Sequence, residues 1–262
     1  MNASEAASGA RSVGPTRVGL PGADVLRSDL VRSDLVRAGR ALARDGLVTA
    51  FGHVSARLGD GATLLVTPPQ PLGTVSGAEC LHLPVEGDTL PEGVPAEAWI
   101  HRAIAAARPD VGAICRAQPF HTNAATAVGA AIRPLHGQGA LLGGPTPVFD
   151  EARLVRDRTR AADLAACLGG AHSLVMRGNG AVTTGRTVGE AVARMWILEE
   201  SARLAVASAA AGTSRPLTEA EQHAWQGAGP ELLGRIWTHL TSTAGAALTS
   251  PAGTPSPSEQ TP

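Results

Sequence analysis

The feature that most constrains the fold is an alternation, along residues 25–240, between segments of helical periodicity and short apolar segments typical of strands. The helical segments are one that ends near Gly46, followed by 96–108, 122–128, 188–210 and 219–239. The strand segments are 64–67, 111–115, 174–176 and 181–183. Because helices and strands are interleaved, the sequence predicts a single α/β domain built on a central sheet.

The two ends of the chain differ in composition from the middle. Residues 1–24 are rich in Gly, Ala and Ser and show no periodicity, which predicts a flexible N-terminal tail. Residues 241–262 are rich in Thr, Ser, Pro and Gly, and we expect a disordered C-terminal tail there. The predicted domain therefore covers residues 25–240.

Charge, hydropathy and cysteine content argue against several classes of protein. A net charge of −1, with no block of Arg residues, argues against a nucleic-acid binder. The apolar runs fall short of the ~20 residues of a membrane span, and the N-terminus lacks the features of a signal peptide. Cys80, Cys115 and Cys167 show no disulfide or metal spacing, which is typical of reduced thiols. We therefore expect a cytoplasmic protein with no nucleic-acid or membrane partner.

Two residue types are missing from the chain. All 22 basic residues are Arg, so no lysine amine is available for a Schiff base or for anchoring pyridoxal phosphate. The chain also contains no Tyr, so no phenol can donate a proton. Codon bias explains both absences, but the chemical exclusions hold whatever their cause.

Five groups of short motifs follow one another along the chain. They are Gly-His-Val-Ser-Ala-Arg at 52–57, Val-Thr-Pro at 66–68, Glu-Ala-Trp-Ile-His at 97–101 with Ala-Arg-Pro-Asp-Val at 107–111, Gly-Asn-Gly at 178–180, and Gly-Glu-Ala at 189–191 with Leu-Glu at 198–199. In this order and at these spacings they resemble motifs of the class II aldolase/adducin family. The resemblance spans roughly residues 30–210.

This resemblance implies a fold and a chemistry. The fold would be an α/β/α domain with a central, mainly antiparallel sheet flanked by helices, assembled as a homotetramer with each active site near a subunit interface. Members of the family bind a divalent metal through a Glu and three His, and the metal stabilises an enediolate formed from a small-molecule substrate.

The metal-binding positions of the family are mostly replaced in this chain. The glutamate is retained as Glu97, but the three histidine positions fall on Arg116, Gln118 and Asn179. An arginine has no lone pair to donate and carries a fixed positive charge. We therefore expect no metal-binding residue, no divalent metal and no other cofactor.

The residues that bind phosphate and supply a tyrosine acid in the family are also replaced. The Thr-Gly and Ser-Ser pairs of the phosphate pocket correspond to Pro69-Gln70 and Pro95-Ala96, and the tyrosine corresponds to Gly137. These changes remove hydroxyl and backbone donors, so we expect a non-phosphorylated substrate.

The resemblance places Glu97, Arg116, Gln118 and Asn179 in the predicted catalytic set, and His121 joins them because it lies three residues beyond Gln118. Glu97 would be a general base, or an exposed carboxylate at a helix start. Arg116 would replace the metal by holding an enolate or carboxylate, or would form a structural ion pair with Glu97. Gln118 and Asn179 would orient a carbonyl, or satisfy backbone groups and a turn. His121 would shuttle a proton, or be a structural imidazole.

The predicted substrate-binding set contains Gly52, His53, Thr67 and His136. His53 stands where the family has a phosphate-side Asn and would face an anion of another shape. An alternative also stays open, in which His53, His101 and His121 rebuild a metal site, since His101 lies one helical turn from Glu97.

The sequence thus predicts a metal-independent, class II aldolase-like enzyme. It would act on a small non-phosphorylated carbonyl or carboxylate substrate by enolate-type chemistry, as a lyase, dehydratase, decarboxylase or isomerase. The GC-rich, Lys-free composition is associated with a biosynthetic, secondary-metabolite pathway. Two alternatives stay open: an aryl-pyruvate oxygenase/decarboxylase-like enzyme of antibiotic biosynthesis with the same fold, and a noncatalytic adducin-like scaffold.

Overall fold

The computed structural model describes residues 21–242 as seven helices, seven strands and three short 3-10 helices. The helices are α1 (Pro21–Arg44), α2 (Ala98–Ala107), α3 (Phe120–Ala127), α4 (Arg158–Leu168), α5 (Val188–Ala211), α6 (Glu219–Gly227) and α7 (Gly229–Thr241). The strands are β1 (His53–Arg57), β2 (Thr63–Val66), β3 (Leu81–Pro84), β4 (Ala113–Ala117), β5 (Val148–Phe149), β6 (Ser173–Met176) and β7 (Ala181–Gly185).

The strands form one seven-stranded sheet in the order β3-β2-β1-β4-β7-β6-β5. Every neighbouring pair is antiparallel except β5 and β6, which are parallel. The prediction of a single α/β domain with a mainly antiparallel central sheet is therefore confirmed.

Two hydrophobic clusters cover the two faces of the sheet, because successive residues of a strand point to opposite faces. Val54, Cys115 and Ala181 pack with α1, α5 and α7 on one face. On the other face, Ile114 and Val182 pack with residues of α2 and α4. The result is a three-layer α/β/α arrangement, and polar residues of β1 and β4 on the α2 side approach the start of α2.

Some predicted boundaries differ from the structure. The helix expected over 219–239 is two helices, α6 and α7, which meet at Ala228. Gly227, Gly229 and Pro230 surround this break, and the missing N–H of proline suits it to the start of the second helix. Helix α4 and strands β3 and β5 were not predicted, since β5 has only two residues and α4 has a polar, weakly periodic sequence.

The two predicted tails lie largely outside the described residues. Residues 1–20 and 243–262 are not described, whereas residues 21–24 form the first turn of α1. Among the described residues, no helix is both long and apolar enough to cross a membrane.

Candidate active site

A cluster of buried and half-buried polar side chains lies on the α2 side of the sheet. It combines residues from the start of β1, the end of β4, the start of α2 and the β6–β7 turn. His53 in β1 and Arg116 in β4 are directly opposite each other in the antiparallel ladder, so their side chains leave the same face. We call the set His53, Ser55, Glu97, His101, Arg116, Gln118 and Asn179 the polar cluster.

Glu97 precedes the first residue of α2 and its side chain is 13% exposed. Its Oε1 lies 3.5 Å from Arg116 Nη2 and accepts a hydrogen bond from Asn179 Nδ2 at 3.2 Å. Burial raises the pKa of Glu97, but His53, Arg116 and Asn179 together outweigh burial and lower this pKa to about 2. The carboxyl group is therefore ionised at neutral pH, and it is not the exposed helix-start carboxylate that was the alternative.

Arg116 is 1% exposed and is the largest fully buried side chain among the described residues. Its Nη2 donates to Asn179 Oδ1 at 2.6 Å, while Nε and Nη1 have no hydrogen-bond partner. Burial lowers the pKa of Arg116 and the charge of Glu97 opposes this change. The side chain remains a cation because the ordinary pKa of arginine is so high. The polar cluster thus contains a buried cation with unused donors.

Asn179 and Gln118 connect the β6–β7 turn to the end of β4. Asn179 Oδ1 accepts from Gln118 Nε2 at 3.2 Å as well as from Arg116. A Cβ on Gly180 would lie 2.1 Å from the carbonyl oxygen of Ala117, so only glycine permits this close approach of the turn to β4. The side chain of Asn179 therefore has a role besides forming the turn, since it joins Glu97, Arg116 and Gln118.

Three further buried side chains form a hydrogen-bonded chain toward Glu97. Ser55 Oγ lies 2.6 Å from His101 Nδ1, and His101 Nε2 lies 2.5 Å from His53 Nδ1. His53 Nε2 has no hydrogen-bond partner and lies 3.9 Å from Glu97 Oε2. Burial lowers the pKa of both histidines, and the neighbouring Arg116 acts in the same direction.

The donor set of the polar cluster does not fit a divalent metal. Arg116 Nη2 lies 3.5 Å from the carboxylate of Glu97 and supplies the positive charge that a metal ion would otherwise bring to this carboxylate. Metal ions bind lone pairs, and a guanidinium has none to give. Among the described residues, no group of three or more His, Cys, Asp or Glu side chains is arranged to hold a metal ion.

Four other residues of the predicted sites lie outside the polar cluster. His121 Nδ1 and its backbone N–H both contact Glu199 Oε1 of α5, at 2.9 and 2.8 Å. His136 Nε2 contacts Ser201 Oγ at 2.9 Å. The hydroxyl of Thr67 accepts from the backbone N–H of Val54, and a Cβ on Gly52 would lie 2.7 Å from Val48 Cγ1. These contacts join the four residues to the surrounding fold, and the described contacts of His121 give no support to a metal site rebuilt with His53 and His101.

Ser55 was not among the predicted site residues, and His101 was considered only as a metal ligand. The available signal was the pattern His53-Val54-Ser55, because residues two apart in a strand point to one face. Cys115 points to the opposite face, and burial raises its pKa to about 12, which agrees with a core residue rather than a nucleophile.

Two cavities of about 590 and 840 Å³ lie elsewhere in the described residues. The first contains Arg108 and Arg186, which are paired with Asp110 and Glu190. Trp99 and Arg102 line the second cavity. No residue of the polar cluster lines either cavity, and neither holds a comparable set of unpartnered buried donors.

Comparisons with known proteins show which family and which solved structures this chain resembles. A family model described as "Class II Aldolase and Adducin N-terminal domain" matches residues 33–206. The structure resembles L-fuculose 1-phosphate aldolase from Glaciozyma antarctica PI12 with a TM-score of 0.70 and 21% sequence identity. The match covers 89% of this chain and 96% of that one, and at this identity it shows the fold alone.

Curated relatives share a single activity in their names. The 3,4-dihydroxyphthalate decarboxylase of Terrabacter sp. (strain DBF63) is 33% identical over 199 residues, which are 70% of this chain and 82% of that protein. The 3,4-dihydroxyphthalate decarboxylase of Arthrobacter keyseri is 29% identical over 189 residues, which are 66% of this chain and 76% of that protein.

Proposed function

The chain belongs to the class II aldolase and adducin family and is a lyase-like enzyme; from this premise we propose that it is a metal-independent decarboxylase of a small non-phosphorylated carboxylate. The substrate would carry an oxygen on the carbon next to the one that bears the leaving carboxylate. The relatives named as decarboxylases favour this reaction among the lyase, dehydratase and isomerase reactions that the sequence left open.

One observation carries the proposal: the unused donors of the polar cluster. Among the described side chains, four buried nitrogen or oxygen atoms lack a hydrogen-bond partner, and three of them belong to His53 and Arg116. Folded proteins leave few buried polar groups unpaired, because each costs about 1–3 kcal/mol. A substrate oxygen that accepts from Nε or Nη1 of Arg116 would remove this cost.

Arg116 would stabilise the anion that decarboxylation produces. In a 3-keto acid, the bond between carbon and the leaving carboxylate breaks, CO2 departs, and the electron pair of that bond becomes the double bond of an enolate. In a 2-hydroxyaryl acid, the ring carbon that bears the carboxylate first takes up a proton and the hydroxyl becomes a keto group, so that the same bond cleavage restores the aromatic ring as a phenolate. The negative charge collects on the neighbouring oxygen, where the guanidinium donates hydrogen bonds. The carbon takes its proton from solvent, after CO2 leaves in a 3-keto acid and before it leaves in a 2-hydroxyaryl acid, so one proton is consumed for each CO2 released.

Glu97 would orient the substrate. Its pKa of about 2 makes it a weak base at neutral pH, which disfavours the general-base role that its position suggested. Asn179 and Arg116 hold Oε1, while Oε2 lies 3.9 Å from His53 Nε2. We assign Oε2 as the acceptor for a hydroxyl of the substrate, with Gln118 and Asn179 positioning Glu97 and Arg116.

The environment of Gln70 supports a substrate without phosphate. Gln70 stands in the phosphate-binding segment of the family, and its side chain donates to Glu79 Oε1 at 3.1 Å. The carboxylate of Glu79 would repel a phosphate group, and Pro69 has no backbone N–H to donate.

The test is release of CO2 from 3,4-dihydroxyphthalate and from a panel of 3-keto and 2-hydroxyaryl carboxylates. We expect release from at least one of them, and loss of most of it in Arg116→Ala. Arg235→Ala is the matched control, because the side chain of Arg235 is 74% exposed and belongs to α7, which packs on the other face of the sheet. No CO2 from the whole panel would contradict the proposal.

The convergence of Glu97, Arg116, Gln118 and Asn179 favours an enzyme over a scaffold, because a scaffold has no need of buried, unpaired donors. No contact in the polar cluster supports the oxygenase alternative in a comparable way. The biosynthetic setting stays a prediction from composition, and we keep it as part of the proposal.

We also propose that the protein is a homotetramer, as the family resemblance implied. Exposed apolar side chains support assembly: Phe51 is 66% exposed, and Phe120 and Val128 are each 74% exposed. Light scattering at micromolar protein should give four times the mass of the chain, whereas a monomer would contradict the proposal.

A further inference from the structure

The hydrogen-bonded chain from Ser55 through His101 to His53 ends at an unpartnered nitrogen. All three residues are at most 4% exposed, and His101 and Ser55 are completely buried. His101 uses both ring nitrogens within the chain, one toward Ser55 and one toward His53. His53 uses only Nδ1 in these hydrogen bonds. Which atom of each bond is the donor therefore decides whether Nε2 carries a proton or a lone pair.

Two directions are possible, because each neutral imidazole has one N–H and one lone pair. In the first, Ser55 donates to His101, His101 donates from Nε2 to His53 Nδ1, and His53 carries its proton on Nε2. In the second, every bond is reversed and His53 Nε2 presents a lone pair. The ionised carboxylate of Glu97, 3.9 Å away, attracts an N–H and repels a lone pair. The first direction also gives the hydroxyl proton of Ser55 an acceptor. Two interactions therefore favour the first direction, one at each end of the series of hydrogen bonds.

The imidazole of His53 is neutral in this arrangement. Burial and the cation of Arg116 lower its pKa, and Glu97 opposes them without reversing the direction. A neutral imidazole with a fixed N–H can act as a hydrogen-bond donor that keeps its proton, whereas a free imidazole would exchange between tautomers.

His53 Nε2 and the guanidinium of Arg116 share one side of the sheet. Their residues are directly opposite in the β1–β4 ladder, and both lie beside Glu97. We propose that His53 Nε2–H, held in this tautomer by His101 and Ser55, is the second donor to the enolate oxygen, beside Arg116. This inference rests on the proposed decarboxylation and deepens it.

The arrangement narrows the class of substrate. Two donors from opposite strands would converge on a single oxygen that gains negative charge, as the keto oxygen of a 3-keto acid or the hydroxyl oxygen of a 2-hydroxyaryl acid does. An analogue that lacks this oxygen should bind without turning over, because the donors would have no developing charge to stabilise. His53 would be a catalytic residue, and His101 and Ser55 would be positioning residues.

The first experiment compares two replacements of His53 on the best substrate of the panel. His53→Phe keeps the ring shape without a donor, and we expect kcat to fall about 100-fold with little change in KM. His53→Gln keeps an amide N–H near the position of Nε2, and we expect it to recover at least a tenth of the wild-type kcat. His82→Asn is the control, because His82 is exposed on β3. Wild-type kcat in both His53 variants would overturn the inference.

The second experiment reads the tautomer directly and needs no activity. Nitrogen-15 NMR of the histidine-labelled protein near neutral pH should show His53, assigned through its loss in His53→Gln, as neutral with the proton on Nε2. Ser55→Ala or His101→Leu should shift this signal toward a mixture of tautomers and lower kcat by less than His53→Phe does. A proton on Nδ1 alone, or a doubly protonated ring, would overturn the inference.

The two levels of the proposal fail in different ways. If the wild type releases no CO2 from any substrate, the proposed function fails whatever the NMR spectrum shows. If the wild type releases CO2 while His53→Phe is fully active or His53 carries its proton on Nδ1, only the role of His53 fails.

Discussion

Two buried arginines, Arg194 in α5 and Arg116 in β4, are hydrogen-bonded in opposite ways. Arg194 is 8% exposed and donates to the backbone carbonyls of Leu141 and Thr184 at 3.2 and 2.8 Å. Arg116 is 1% exposed and has one close acceptor, the side chain of Asn179, with two of its three nitrogens unpartnered. The hydrogen bonds of Arg194 connect elements of the fold, whereas Arg116 keeps N–H donors that a bound ligand could use.

Arg102 in α2 repeats the pattern of Arg194. It is 5% exposed and donates to the carbonyl oxygens of Pro84, Gly87 and Thr89 at 2.8–3.0 Å. Burial alone therefore does not distinguish a functional arginine from a structural one. The acceptors distinguish them, since backbone carbonyls satisfy a structural guanidinium and a site leaves part of it free.

The largest effect is expected at Arg116. Arg116→Ala should lower kcat about 100-fold or more, because one preorganised donor contributes ~3 kcal/mol to the stability of the transition state. Arg116→Lys should recover only part of this loss, since a point charge cannot reproduce the planar fork. The measurement is steady-state CO2 release alongside thermal unfolding of the same preparations. Normal activity in a strongly destabilised Arg116→Ala would show that Arg116 is a structural arginine like Arg194.

The matched change at Arg194 should have the opposite signature. Arg194→Met keeps an apolar stem and leaves the carbonyls of Leu141 and Thr184 without their donor, at about 1–3 kcal/mol for each buried group. We expect the unfolding free energy to fall by about 2 kcal/mol or more, while kcat of the folded protein stays near the wild-type value. Urea unfolding and CO2 release measure the two quantities. A loss of kcat comparable to that of Arg116→Ala would remove the contrast between the two residues.

A smaller effect is expected from pH, through Glu97. Its pKa in the folded protein, about 2, lies below its ordinary value of 4.5, so the ionised carboxylate stabilises the fold. That stabilisation is complete above pH 4.5 and is lost as the pH falls through about 2. Between about pH 5 and about pH 3, the unfolding free energy of the wild type should therefore fall more steeply than that of Glu97→Gln. Equal slopes in urea unfolding would show that Glu97 is not held by Arg116 and Asn179 as described.

The sequence allowed the fold and five residues of the polar cluster to be predicted, His53 as a substrate-binding residue and four as catalytic residues. Glu97, Arg116, Gln118 and Asn179 converge, as the motifs in register implied, because each lies at the end of an element that the motifs define. The order of helices and strands also predicted the sheet, although the break between α6 and α7 was missed since one residue separates the two helices.

The contact between the other two members of the polar cluster, Ser55 and His101, could not be predicted from local patterns. The contact between Ser55 and His101 joins residues 46 apart in sequence, and it depends on how closely α2 approaches β1. His121 was placed in the site because it follows Gln118, yet Glu199 of α5 accepts from its backbone and side chain. In both cases the partner comes from a distant element, and spacing along one element carries no information about it.

The central claim is that the guanidinium of Arg116, and not a metal ion, stabilises the enolate. Removal of metal by a chelator tests this claim most directly. The protein is treated with a strong chelator, its loss of divalent metal is checked by elemental analysis, and CO2 release is measured before and after. The structure predicts unchanged kcat and KM, because Arg116, Gln118 and Asn179 offer no ligand set for a divalent ion. Activity that disappears on chelation and returns with one divalent metal ion per chain would contradict the claim.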